Sequence, residues 1–233
     1  MDFSGKKILV IGGSSGIGYQ ICKNLVAANA QVWNMSRQKP QDLDLQHRFL
    51  DILNFQEHIF SELDTLDGLV YAVGSITLKP FNRLKKEDFL LDYELNVLGA
   101  MQSIQAALPA LRKGKDVSVV LFSTVAVGIG MPFHASISAA KGAVEGLVRS
   151  LAAEFAPHIR FNAIAPSLTD TPLAKNLLSN DEKKASAAKR HPLNRFGQAE
   201  DSANMALFLL SQQTQWITGQ ILHIDGGMSV LRV

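Results

Sequence analysis

Residues 122–141 read FSTVAVGIGMPFHASISAAK, and three kinds of side chain in that stretch can do chemistry. Ser123 and Thr124 put hydroxyls just past the apolar run 117–122, which reads as a fully buried strand. Lys141 is the one lysine on the small, apolar face of the helical pattern that follows. A strand end that brings hydroxyls toward a desolvated cation is a place where a substrate oxygen can be held and polarised. His134 lies seven residues, two helical turns, before Lys141, so the two share a face if the helix already includes it. An imidazole there is a competent proton donor. With Pro132 two residues earlier, His134 equally fits a loop or capping position just before the helix.

A second chemical signal lies near the N-terminus. The apolar run 7–11 leads into Gly12-Gly13-Ser14-Ser15-Gly16-Ile17-Gly18, and Ile17, Ile21, Leu25 and Val26 then fall on one helical face. Strand, glycine-rich turn and helix is the setting in which backbone N–H groups and a helix N-terminus meet a phosphate. The next strand, 31–35, ends in Ser36-Arg37 with no acid beside it. An acid at that place takes the ribose hydroxyls of NAD, whereas an arginine accommodates the 2′-phosphate of NADP, so NADP(H) is favoured over NAD(H). Arg37 as a plain solvated cation is the bland alternative. A strand at 48–50 ends in Asp51-Ile52, placed to reach an adenine edge.

The elements that position these groups alternate. Strands are expected at 68–72, 117–122, 159–164 and 221–224, with helical patterns at about 87–111 and 200–210 between them. Such alternation predicts a parallel sheet covered on both faces. Asn96 falls inside the long helical pattern, where asparagine is locally unfavourable, so it is either exposed or kept for a polar role. Residues 169–195 are polar, rich in Lys, Ala and Ser, and punctuated by Pro172 and Pro192. They read as a mobile flap of one or two helices over the strand ends where ligands of such sheets bind. No linker, repeat or low-complexity tract interrupts the chain, so residues 1–233 are expected to form one domain.

Bulk properties exclude several classes. Hydrophobic residues make up 47% and charged residues 19%, a globular profile, and a formal charge of +2 gives no footprint for nucleic acid or an anionic membrane. The apolar runs are too short to span a bilayer, and no signal pattern opens the chain. The lone Cys22 can form neither an internal disulfide nor a thiolate metal cluster, and the other histidines lack metal-ligand spacing. A cytoplasmic location and a small-molecule substrate are the expectations.

The motifs in their order resemble a short-chain dehydrogenase/reductase over essentially the whole chain. They are Gly12, Gly16 and Gly18; Asp51; Gly74; Asn96-Val97-Leu98-Gly99; Lys141; Asn162-Ala163-Ile164-Ala165-Pro166 with Thr171; Arg195-Phe196-Gly197; Ile217-Thr218-Gly219-Gln220; and Asp225-Gly226-Gly227. The resemblance implies a single-domain, Rossmann-type, doubly wound α/β fold with a seven-stranded parallel sheet and helices on both faces. It implies a nicotinamide cofactor contacted by Gly12, Ser14, Ser15, Gly16, Ile17 and Gly18, by Ser36, Arg37, Asp51 and Ile52, and by Ala72, Val73 and Gly74. Lys141, Pro166, Thr169 and Thr171 complete that set. Asn96, Thr124 and Lys141 fall at catalytic positions, with Thr124 at the substrate-binding serine, and a homodimer or homotetramer is implied.

The resemblance breaks four residues before Lys141, where the family's proton-transferring tyrosine is Ile137. Tyr71-Ala72-Val73-Gly74 stands where Asn-Asn-Ala-Gly is usual, and Pro166-Ser167 where Pro-Gly is usual. Three readings follow. One is a reductase whose acid is relocated to His134. Another is a reductase of conjugated thioesters, where Thr124, Ser138 and a water on Lys141 stabilise an enolate. The third is a non-catalytic dinucleotide-binding sensor or assembly protein with a degenerate site.

Overall fold

The computed structural model describes residues 1–232. The apolar runs become strands β1 (Lys7–Ile11), β2 (Gln31–Ser36), β3 (Gln46–Phe49), β4 (Gly68–Tyr71), β5 (Val117–Phe122) and β6 (Ile159–Pro166). Two short strands, β7 (Thr169–Asp170) and β8 (Gly197–Gln198), precede β9 (Ile221–Ile224). Seven of them form one parallel sheet in the order β3-β2-β1-β4-β5-β6-β9. The order reverses between β1 and β4, and ligands of open α/β sheets bind outside the strand ends at such a switch point.

Both sheet faces are covered, which is why the central strands read as unbroken apolar runs. Leu9, Ile11, Val119 and Leu121 pack into a core with Ile104, Leu111, Val144 and Val148 from helices α3 (Gly99–Leu111) and α5 (Ala135–Phe155). Ile8, Val10, Val120 and Phe122 face the other way, onto Ile21, Leu25, Ala206 and Leu210 of α1 (Gly16–Ala27) and α7 (Ala199–Leu210). Each fully buried Leu or Ile side chain contributes about 1.5–3 kcal/mol. The edge strand β3 is largely exposed. Its weak apolar pattern placed it at 48–50, two residues late at its start.

The helical pattern at 87–111 is more than one α-helix. It runs as α2 (Lys86–Tyr93), a π-helical turn (Glu94–Leu98) and α3. A π turn leaves backbone carbonyls without their usual partners; here the buried Tyr71 hydroxyl donates to Leu95 O at 2.5 Å. Asn96 lies inside the turn and is 1% exposed, so it is the kept polar residue and not a tolerated surface one.

Residues 169–195 fold as β7, a helical turn (Pro172–Leu178) and α6 (Asp181–Lys189). The segment is closed by pairing of Thr169 with Gly197 and anchored by buried Leu178, Ala187 and His191. Cys22 is fully buried, and burial pushes its thiol pKa up to about 12. Among the described residues no helix is long and apolar enough to cross a membrane. None of them group as three or more His, Cys, Asp or Glu able to hold a metal ion.

Candidate functional site

The carboxyl ends of the central strands open onto two adjoining cavities of about 460 and 300 Å³. They share Ile17, Ala72, Val73, Gly74, Thr171 and Leu173, so together they make one elongated cleft.

The larger cavity is built on the glycine turn. Gly12 has φ +87°, and a Cβ there would lie 2.9 Å from the Val73 backbone N. A Cβ on Gly18 would lie 2.3 Å from Gly12 O, so only glycine lets α1 start this close to the end of β1. Ser15 occupies the cap position of α1 without a side-chain capping bond, and the first turn carries no acid. The positive end of α1 is therefore left for an anion. Ser14, Ser15 and Gly16 line this cavity beside it.

Asn34 fixes the turn from behind. It is fully buried, its Oδ1 accepts from Gly13 N–H at 3.0 Å, and its Nδ2 donates to Ser36 Oγ at 3.0 Å. Ser36 in turn donates to Gln38 O at 2.7 Å, so its hydroxyl shapes the loop. Arg37, exposed on the same cavity, makes no hydrogen bond or ion pair among the described residues. The Asp51 carboxylate accepts from Leu53 N–H and Asn54 Nδ2. Asp51 and the buried Ile52 line the far end, beyond β2 and β3.

The smaller cavity gathers Thr124, His134, Lys141, Pro166, Thr169 and Thr171. Lys141 is 7% exposed and donates from Nζ to Phe122 O at 2.8 Å. Burial pushes its pKa down to about 8, and the charge of Asp92 pulls the other way. Thr124 caps the short helix α4 (Val125–Ile129) by accepting from Ala126 N–H at 3.3 Å, so its own O–H is available to the cavity. Ser123 beside it donates to Glu145 at 2.8 Å, which leaves Thr124 as the freer hydroxyl. Ser138 turns away and donates to Ala126 O at 3.4 Å, so the expected enolate contact from it is not in place.

His134 sits at the cap position before α5, outside the helix, which is the capping alternative. Its Nδ1 bonds Pro132 O at 2.7 Å, so Nδ1 carries the proton, and the ring still lines the cavity. Ile137, 5% exposed, lines it between His134 and Lys141.

Asn96 lies behind the wall. Its Nδ2 donates to Asp92 O at 2.7 Å and Ser75 Oγ at 2.9 Å, while its buried Oδ1 has no partner among the described residues. A Cβ on Gly74 would lie 3.3 Å from that Oδ1 and 3.6 Å from Lys141 Nζ, so both atoms converge on one glycine. An unpaired buried acceptor costs about 1–3 kcal/mol unless a ligand or water satisfies it.

Asp92, which sequence reasoning missed, is fully buried. It accepts from Ser75 at 2.6 Å, Thr77 at 2.9 Å and Ser136 at 2.5 Å. Three hydroxyls keep this carboxylate satisfied at the back of the site. The open helix terminus, the glycine cradle and the orphaned Asn96 acceptor fit a dinucleotide cofactor.

The chain is similar to known proteins over nearly its whole length. The family described as enoyl-(acyl carrier protein) reductase matches residues 12–229. A tropinone reductase homolog from Arabidopsis thaliana is 32% identical, covering 98% of this chain and 95% of its own length. The ligand-free aldohexose dehydrogenase of Thermoplasma acidophilum superposes with a TM-score of 0.92 at 28% identity, covering 99% of this chain and 96% of that one. A structure of an ElxO variant with NADPH bound superposes with a TM-score of 0.85 at 28% identity, covering 96% of this chain and 98% of that one.

Proposed function

The chain belongs to the short-chain dehydrogenase/reductase family, and on that footing we propose that it is an NADP(H)-dependent oxidoreductase acting on a carbonyl or conjugated, ketoacyl- or enoyl-like small substrate. The observation that carries this is the continuity of the cleft, from the anion-ready terminus of α1 to the buried Lys141. When bound, a nicotinamide supplies or takes up the hydride. The backbone of residues 12–18 holds the pyrophosphate, Arg37 the 2′-phosphate, and Asp51 and Ile52 the adenine. Ala72, Val73, Gly74, Pro166, Thr169 and Thr171 line the way to the reactive end.

Lys141, mostly charged at neutral pH with a pKa of about 8, binds ribose hydroxyls. Thr124 donates to the substrate oxygen, and Asn96 Oδ1 holds a water between itself and Lys141. Moving the proton falls to a group other than Ile137, and the lining of the cavity includes two imidazoles, His134 and His191. Assembly as a homodimer or homotetramer belongs to the same proposal; sedimentation of a monomer alone would remove it.

A second reading, a non-catalytic dinucleotide sensor or assembly protein, is favoured by one observation: Ile137 fills the wall and carries no transferable proton. NADPH absorbance followed over a panel of β-ketoacyl, enoyl and dienoyl thioesters and small ketones separates the two. The oxidoreductase oxidises NADPH with at least one class, and the sensor binds NADPH and oxidises it with none.

A further inference from the structure

Ser167 and His191 form a hydroxyl–imidazole pair on the wall of the smaller cavity, 2.8 Å from Oγ to Nε2. His191 is 2% exposed, and its Nδ1 lies 2.8 Å from Ala187 O. A carbonyl can only accept, so Nδ1 carries a proton in every state of the ring. The neutral ring then accepts the Ser167 proton at Nε2, and the protonated ring donates there instead. The contact is satisfied in both states, with the backbone of α6 fixing the ring. A hydroxyl, an imidazole and a third group orienting the imidazole is the arrangement that lets a serine oxygen exchange its proton readily.

The pair is also well placed. Phe122 of β5 pairs with Ile164 of β6, so Thr124 and Ser167 stand just beyond the ends of adjacent strands. Both residues line the smaller cavity. Ser167 is half-buried and faces the cavity, with His191 buried behind it. His134, by contrast, has no hydroxyl partner among the described residues and sits before the first turn of α5.

We propose that Ser167, backed by His191, passes the proton in the reaction of this site, in the role that Ile137 leaves empty. The inference rests on the reading of the cleft as an oxidoreductase site. In the reducing direction the substrate's carbonyl carbon gains a hydride with its electron pair from a reduced nicotinamide. The carbonyl oxygen, holding the former π pair, takes the Ser167 proton. The Ser167 oxygen takes the Nε2 proton of protonated His191, which is left neutral with Nδ1–H still on Ala187 O. Oxidation of an alcohol runs the same transfers backwards. Ser167 is the catalytic residue and His191 its positioning partner.

The test compares the full chain with its Ser167→Ala, Ser167→Thr and His191→Gln variants. NADPH titration comes first, followed by turnover on acetoacetyl and crotonyl thioesters and small ketones. Ser167→Ala should lower kcat by ~10²–10⁴-fold, the usual worth of a positioned proton donor, with NADPH affinity and substrate KM little changed. Ser167→Thr should restore most of that loss. Nitrogen NMR of the nucleotide-free chain gives a readout without turnover: the His191 Nε2 resonance should move in Ser167→Ala. Ser167→Ala removes one half-buried oxygen, so it carries the test even if His191→Gln fails to fold. Parent-like kcat in Ser167→Ala, or an Nε2 resonance indifferent to it, overturns the proposal. So does a parent chain that binds NADPH and reduces nothing in the panel. Failure of NADPH to bind at all instead sinks the NADP(H)-dependent oxidoreductase reading, and it shows before any substrate is added.

Discussion

At the scale of single residues, the site turns on Lys141 and the carboxylate behind it. Burial holds the Lys141 pKa near 8, well below the ordinary 10.5, while Asp92 resists that shift. The folded chain therefore loses this proton as pH rises through about 8, and the unfolded chain only near 10.5. Between those values the unfolded state binds more protons, so the Lys141 contribution makes stability rise with pH. Function should move the opposite way, because the ammonium proposed to bind ribose is lost. NADPH affinity measured against pH should fall through about 8. In Asp92→Asn that fall should move to lower pH, and an unmoved limb would show that Asp92 does not act on Lys141. Lys141, Thr124 and Asn96 were legible in the sequence because each sits in a local motif. Asp92 and Ser167–His191 were not, since their partners come from distant positions: Ser136 is 44 residues from Asp92, and His191 is 24 from Ser167.

At the scale of elements, the glycine turn and the π turn hold the two ends of the cleft. Gly18→Ala would drive a Cβ against a backbone oxygen, not a movable side chain. Overpacking of that kind costs roughly 1–3 kcal/mol. Urea unfolding should show a lower midpoint, and NADPH binding should weaken with it; an unchanged midpoint and affinity would mean that α1 can shift without cost. The strand–turn–helix unit was readable in advance because residues 7–18 carry its apolar period and its glycines together. The π turn was not, since Glu94–Leu98 has no periodicity of its own. One of its supports lies across the fold, in the Tyr71 hydroxyl that donates to Leu95 O. Tyr71 stands where the family usually has asparagine, so a departure from the motif is part of what supports the turn bearing Asn96.

At the scale of the whole molecule, two cores on opposite faces of one sheet leave the strand ends as the place where a long ligand can lie. The apolar runs made that architecture legible, because strands buried on both faces must be apolar throughout. The segment 169–195 was legible as a cover but not as an anchored one. Its ties are a two-residue strand pair and a few buried side chains, too slight to show in composition. The proposed function makes one demand of the cleft: a dinucleotide must bind, and Arg37 must prefer its 2′-phosphate. Hydrogen bonds to a charged group contribute about 1.5–3 kcal/mol, roughly tenfold or more in affinity. Calorimetric titration of the parent chain and Arg37→Ala with NADPH and NADH tests this most directly. The account predicts one saturable site per chain, NADPH tighter than NADH by about tenfold or more, and most of that margin lost in Arg37→Ala. Equal affinities for the two nucleotides would contradict the NADP(H) assignment, and no saturable binding of either would contradict the account at its root.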